Sequence, residues 1–238
     1  MLKERLQKVL DYIQVGDRIV DVGCDHGYLG LAALAKGVSF VQLVDNKKMP
    51  LQKAMENLQD YLDSPKVKFT LASGLTEVNE AVNVACICGM GGDLIAQIIE
   101  ESLANAKRLM KLILQPNTKA EHLRKYLNTA HFQIIDETIA LENDKYYPIL
   151  VVKYNETTLP LTDVQIKYGP ILLEKHPPHF ACYIKKRIIR LDEIIQSNQD
   201  DTKIEKIIKE KEELKEILHH AYNENNKLFT RKVPNRPC

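Results

Sequence analysis

The stretch Arg18-Ile19-Val20-Asp21-Val22-Gly23-Cys24-Asp25-His26-Gly27-Tyr28-Leu29-Gly30 decides how the rest of this 238-residue chain is read. Ile19 to Val22 is a short β-branched run that stops at Gly23. After Cys24, Asp25 and His26 comes Gly27, and an apolar helical pattern begins at Tyr28, so the stretch predicts strand, tight turn and helix. Glycines in such a turn let a ligand lie against backbone amides at a helix N-terminus.

Spacing narrows the ligand. A dinucleotide turn carries G-x-G-x-x-G, whereas Gly23 and Gly27 are split by Cys-Asp-His with no glycine between them. Acid-x-Gly-x-x-x-Gly after a first strand points instead to the S-adenosylmethionine pocket of doubly wound methyltransferases, with a ligand-free α/β turn as the plain alternative. Upstream, Leu6, Val9, Leu10 and Ile13 mark one buried helix face. Downstream, Leu29 to Ala35 continues a helix closed by Gly37, and Ser39 to Val44 is a second strand ending on Asp45. Asp45 lies 22 residues after Gly23, close to the interval of roughly 20 at which nucleotide-binding units place an acid on ribose hydroxyls. The competing role for Asp45-Asn46 is a helix N-cap.

Val67 to Leu71 reads as a third strand, followed by Ala72-Ser73-Gly74-Leu75, where Ser73 is either an adenine contact or a turn serine. Asn83 to Cys88 is a fourth, and Gly89-Met90-Gly91-Gly92-Asp93 at its end marks close approach of backbone to a ligand. Leu109 to Gln115 is a fifth, with Pro116 expected to end it and Gln115 and Asn117 left as amides on the same rim. Thr118 is expected to cap a helix running to about Asn128, and Phe132 to Ala140 and Tyr146 to Tyr154 close the sheet. Seven strands, the last two without a helix between them, predict an α/β, Rossmann-like seven-stranded methyltransferase sheet with an antiparallel final strand.

Beyond Tyr154 the pattern changes, which suggests a methyltransferase domain over 1–155, a helical coiled-coil domain over 156–227 and a flexible tail over 228–238. Gly169-Pro170 breaks a short helix there. Ile184, Ile188, Leu191 and Ile195, then Ile204, Ile207, Leu214, Leu218 and Ala221 with Lys211 interrupting, predict an antiparallel hairpin joined near Asn198 to Asp201. Lys185, Lys186, Arg187 and Arg190 form the densest positive cluster, either an RNA-backbone contact or a solvated face. A net charge of +1 only permits a nucleic acid partner. His176-Pro177-Pro178-His179 cannot form a helical metal clamp, and no metal is expected. No apolar run reaches the roughly twenty residues of a membrane span. The charged opening Met1-Leu2-Lys3-Glu4 is unlike a signal peptide, and the five cysteines read as reduced thiols. A cytoplasmic monomer away from membranes is expected.

Asp21-Val22-Gly23-Cys24-Asp25-His26-Gly27-Tyr28-Leu29, Gly89-Met90-Gly91-Gly92, Leu112-Ile113-Leu114-Gln115-Pro116-Asn117 and Gly169-Pro170 together resemble the bacterial TrmK family, over nearly the whole chain. That resemblance implies methylation of N1 of adenosine 22 in tRNA from S-adenosylmethionine, by a Rossmann-like domain followed by a coiled-coil domain. Asp45 stands where the family usually has Glu, Ser73 where it tends to have Asp, and Pro148 follows Tyr147 where an acid is common.

The chemistry agrees with the missing Asn-Pro-Pro-aromatic signature of amine methylation, because adenine N1 already carries a free lone pair and needs no general base. Asp25 is the expected electrostatic catalyst, with His26 or Tyr28 positioning the base. Asp21, Gly23, Cys24, Gly27, Asp45, Asn46, Ser73, Gly74, Leu75, Gly89 and Met90 are expected on the cofactor. Gly91, Gly92, Gln115, Asn117 and the basic cluster are expected on the base or RNA. A catalytically inactive RNA-binding protein of the same fold, and a methyltransferase of another substrate, remain alternatives.

Overall fold

In a computed structural model, which describes residues 2–197 and 200–228, the chain divides into two compact units, Met1–Ile171 and Leu172–Cys238. The first holds a single seven-stranded sheet of order β3-β2-β1-β4-β5-β7-β6. Its strands are β1 (Arg18–Val22), β2 (Phe40–Asp45), β3 (Val67–Leu71), β4 (Val84–Gly91), β5 (Lys111–Thr118), β6 (Phe132–Glu142) and β7 (Lys145–Tyr154). β1 to β5 run parallel, and β7 is antiparallel to both its neighbours. This is the predicted Rossmann-like arrangement.

Both faces of the sheet are covered. Alternate residues of each strand feed opposite cores: Val20, Val44, Ala85 and Leu112 enter one, Ile19, Val41, Val84 and Ile113 the other. On the second face lie α1 (Glu4–Asp11), α2 (Tyr28–Lys36) and α3 (Lys48–Asn57), with Val9, Leu10, Leu29, Ala33 and Leu51 turned inward. The first face is covered by α4 (Gly92–Glu101), α5 (Leu103–Arg108) and α6 (Ala120–Thr129) through Ile95, Ile99, Ala106, Leu123 and Leu127.

The strand order reverses between β1 and β4, and ligands of open parallel sheets sit outside the carboxyl ends of strands at such a point. The turn after β1 and the glycine run after β4 both lie there.

One expected boundary moves. β5 does not stop before Pro116 but continues to Thr118, so the residue before the next helix is Lys119, in a left-handed conformation and without a side-chain cap from Thr118. The ladder shifts register between Cys88 and Met90 and again between Met90 and Gly91. A bulge is where a strand tolerates a proline, whose missing N–H then leaves no gap in the ladder. Gly92 is required beside it, since a Cβ there would meet the Lys119 carbonyl oxygen at 2.3 Å.

Residues 156–171, grouped with the C-terminal helices on composition, belong to the first compact unit. They carry α7 (Asp163–Tyr168), which starts with a capping box between Thr162 and Gln165, and the beginning of α8 (Pro170–Lys175). In the second unit, α9 (Phe180–Ser197) and α10 (Asp201–Leu228) pack against each other, burying Ile184, Leu191 and Leu214. Lys211, which interrupts the apolar seam, forms an ion pair with Asp192. Asn198 and Gln199 of the predicted joint, and the tail beyond Leu228, lie outside the described residues.

Cys24, Cys86 and Cys88 are free, whereas Cys182 is disulfide-bonded, against the reading of five reduced thiols. Among the described residues no helix is long and apolar enough to cross a membrane.

Candidate active site

The turn between β1 and α2 is held from several sides. Gly23 and Cys24 N–H both donate to the Val44 carbonyl, at 2.8 and 3.2 Å, which draws the turn toward the end of β2. Gly27 N–H closes it on the Cys24 carbonyl at 2.7 Å, and the Asn57 amide holds the His26 carbonyl at 2.9 Å. Gly27 sits at φ +70° with Leu43, Ala54 and Leu58 packed where a Cβ would project. Asp25 takes φ +45°, unusual for a residue other than glycine and frequent where function holds the backbone in place.

These constraints open a cleft of about 750 Å³ at the carboxyl ends of the parallel strands. Asp21, Gly23, Cys24, Asp25, His26 and Tyr28 line it from the first turn. Asp45 and Asn46 line it from the end of β2, Ser73 and Gly74 from the end of β3, and Gly89, Met90, Gln115 and Asn117 from the ends of β4 and β5. Four predicted residues do not reach it. Gly27 and Gly92 are taken up by packing, Gly91 lies beyond the lining, and Leu75 is wholly buried in the core.

The cleft also includes residues that sequence reasoning missed. Leu94, Gln97, Ile98 and Glu101 come from one face of α4, at helical spacing that was legible in principle. Arg5 comes from α1, and nothing in the sequence connects it to the far side of the sheet.

Two carboxyls sit at neighbouring strand ends. Asp45 accepts a hydrogen bond from Lys47 N–H at 2.9 Å, and α3 starts only at Lys48, so Asp45 is not its N-cap. Asp21 is buried, and desolvation together with the charge of Asp45 raises its pKa from 3.8 to about 7, against the lowering effect of a Gly30 N–H hydrogen bond.

A carboxyl that holds its proton longer in the folded chain than in the unfolded one favours folding in acid and opposes it as pH rises from about 4 through 7. Asp21→Asn is therefore expected to raise the melting temperature of the ligand-free protein at pH 8 by a few degrees, with a clearly smaller rise at pH 5. Thermal unfolding at the two pH values checks this; an equal shift at both rules out the titration of Asp21 as its cause.

Burial pushes the thiols of Cys24 and Cys88 up, with the negative charge of Asp21 adding to it, so neither is a thiolate nucleophile at neutral pH. On the rim, His26 and Tyr28 stack with ring centroids 5.3 Å apart and planes 15° from parallel, and Tyr28 is half exposed. The Asp25 carboxylate lies 3.7 Å from His26 Nε2 and is mostly exposed. The arrangement offers a carboxylate and an aromatic platform at the mouth, and buried acids with an open backbone turn behind.

In the second unit the basic cluster is largely accounted for by acids. Arg187 pairs with Glu210 at 2.9 Å and Arg190 with Glu193 at 2.7 Å, while Lys186 is exposed and Lys185 partly so.

Comparison with known proteins agrees with this geometry. A tRNA (adenine(22)-N(1))-methyltransferase of Bacillus subtilis is 29% identical, the match covering 92% of this chain and 98% of that one. The crystal structure of the B. subtilis m1A22 tRNA methyltransferase TrmK superposes with a TM-score of 0.79 at 27% identity, covering 92% of this chain and 99% of that one. Streptococcus pneumoniae Sp1610, solved in complex with S-adenosyl-L-methionine, superposes with a TM-score of 0.83 at 32% identity, covering 92% and 100%. The family model for TrmK, tRNA (adenine(22)-N(1))-methyltransferase, matches residues 19–224. From the first glycine turn to the second helix of the C-terminal pair, this chain belongs to the TrmK family.

Proposed function

We propose that the chain transfers a methyl group from S-adenosylmethionine to N1 of adenosine 22 in tRNA, and that its first turn divides the work between two ligands. The observation that carries this reading is that Asp25, His26 and Tyr28 share one cleft with Asp21 and Asp45. The cleft suits S-adenosylmethionine: its two acids match the cofactor's ammonium and ribose hydroxyls. Bound there, the cofactor supplies an electrophilic methyl on a sulfonium sulfur.

Asp21, Gly23 and Cys24 hold the methionine end, Asp45 and Asn46 the ribose, and Ser73 and Gly74 the adenine ring. The adenine of the substrate, attacking through its own N1 lone pair, needs alignment and exclusion of water and no general base. The His26–Tyr28 stack supplies a face on which a flipped-out base lies, and Met90 covers it from the other side. As N1 is alkylated the purine gains a positive charge, and the Asp25 carboxylate stabilises it. Gln115 and Asn117 shape the same rim. Lys185, Lys186, Arg187 and Arg190 contact the RNA backbone from the helical unit, which makes binding salt-sensitive. The protein acts as a cytoplasmic monomer, with the first compact unit catalytic and the helices α9 and α10 of the second binding RNA.

The test is mass spectrometry of nucleosides from unmodified tRNA incubated with the protein and S-adenosylmethionine. N1-methyladenosine is expected, and it should vanish when adenosine 22 is replaced by guanosine. A different methylated nucleoside, or none, overturns the reading.

A further inference from the structure

We infer that Arg5, on the first helix, is a positioning residue for methyl transfer, acting through the amides of Gln115 and Asn117 on the backbone of Gly89. This inference rests on the methyltransferase reading of the cleft. The Arg5 guanidinium donates to Asn117 Oδ1 at 2.6 Å and to Gln115 Oε1 at 3.3 Å, lies 3.5 Å from Glu142 Oε1 and covers the Tyr147 ring at 5.0 Å. A fork held by two amide oxygens, a carboxylate and an aromatic face has little freedom to move. Its side chain is only 19% exposed, so it is not a solvated surface charge.

The amides then act on a single residue. Gln115 Oε1 also accepts from Gly89 N–H at 3.0 Å, Gln115 Nε2 donates to Asn117 Oδ1 at 3.2 Å, and Asn117 Nδ2 donates to the Gly89 carbonyl at 2.7 Å. Both polar groups of the Gly89 backbone are thus held by a pair of side chains whose oxygens are oriented by Arg5. The arrangement is needed because Gly89 sits at φ +78° with open space around it, at the point where the β4–β5 ladder loses register. Neither packing nor the ladder can hold that turn.

Gly89 in turn places Met90. The Met90 methyl lies where a Cβ on Gly23 would be, 2.1 Å from it, so the β4 turn and the β1 turn meet through this one side chain. Releasing Gly89 displaces Met90 from its place against Gly23 in the cleft lining, while Asp21 and Asp45 keep their places on β1 and β2. Misplacement of about 1 Å in such a site costs up to roughly a hundredfold in rate. The predicted signature is a loss in turnover with cofactor affinity retained.

The experiment uses the full chain with unmodified tRNA. Arg5→Ala is expected to lower kcat about tenfold or more, with KM for tRNA and the dissociation constant of S-adenosylmethionine within about threefold of wild type. Millimolar guanidinium should restore part of the rate. Arg5→Lys offers one ammonium in place of the two nitrogens that hold the amides and Glu142 at once, so it should stay near the alanine variant. NMR hydrogen exchange at the Gly89 amide should accelerate about tenfold in Arg5→Ala, a change that does not depend on activity. Asn117→Ala should lose a similar factor in kcat, and the double variant no more than either single one.

A kcat within about twofold of wild type, unchanged Gly89 exchange, or independent multiplication of the two losses overturns the inference. If wild type makes no N1-methyladenosine, the parent reading fails, while the exchange measurement still decides the role of Arg5.

Discussion

Replacing Asp25 by alanine is expected to lower turnover on tRNA about 100- to 1000-fold while leaving the dissociation constant of S-adenosylmethionine within about threefold. The size follows from what the carboxylate does. In the proposed reading it faces a purine that is neutral before methyl transfer and cationic after it, so its interaction is stronger in the transition state than in the ground state. The second half follows from its place on the rim, mostly exposed, with the two acids buried behind it. Asp25→Asn separates charge from backbone, because asparagine tolerates φ +45° about as well as aspartate. A loss of similar size in both variants assigns the effect to charge, whereas a normal Asn variant assigns it to the turn. Single-turnover kinetics with calorimetric titration of the cofactor measures both quantities, and unchanged turnover in the alanine variant removes Asp25 from the mechanism.

Arg124→Ala is expected to destabilise the first unit by about 3–5 kcal/mol, the range for breaking a buried ion pair by removing one partner. At roughly 2–4 °C per kcal/mol for a protein of this size, the melting temperature falls by about 10 °C. Arg124 Nε lies 2.8 Å from Glu137 Oε1, with both side chains fully buried. Nη1 of Arg124 reaches the Ile166 and Lys167 carbonyls at 3.4 and 3.2 Å, and Glu137 accepts from Ile171 N–H at 3.0 Å. The pair therefore ties α6, β6 and the segment from α7 to α8 into one body. Replacing both charges, as Arg124→Met with Glu137→Leu, should cost less than either single change because no unpaired charge stays buried. Urea unfolding measures the three variants; a double variant as unstable as the sum of the singles refutes the coupling.

The same pair shows what Gly169 is for. Gly169-Pro170 reads in the sequence as a break in a short helix, which it is, but a Cβ at Gly169 would also come within 2.6 Å of Glu137 Oε2. That second reason involves a residue 32 positions away and leaves no local pattern. The boundary at 155 was set by composition alone, and composition does not register that Arg124 holds carbonyls of 166 and 167.

The cleft was more legible than its neighbours. Of the residues expected on cofactor or base in the first unit, most of those on the strand-end turns line one cavity, because a parallel sheet brings every such turn to one edge whatever the side chains are. Leu75 was misread because a residue directly after a lining turn can point into the core instead. The basic cluster on α9 was legible as charge, but the acids facing it, Glu210 from α10 and Glu193 from its own helix, appear only when helix faces are known.

By itself, then, the sequence determined the seven strands, their alternation with helices and the glycine turn carrying Asp21 and Asp25. Those features rest on local periodicity and on backbone conformations that only certain residues adopt. Tertiary structure alone decided that Pro116 lies inside a strand, that residues 156–171 join the first unit, and that Arg5 reaches Gln115 across 110 positions of chain. The physical reason is that hydrogen bonds and ion pairs depend on distance in space, and a polar side chain carries no mark of which distant partner will satisfy it.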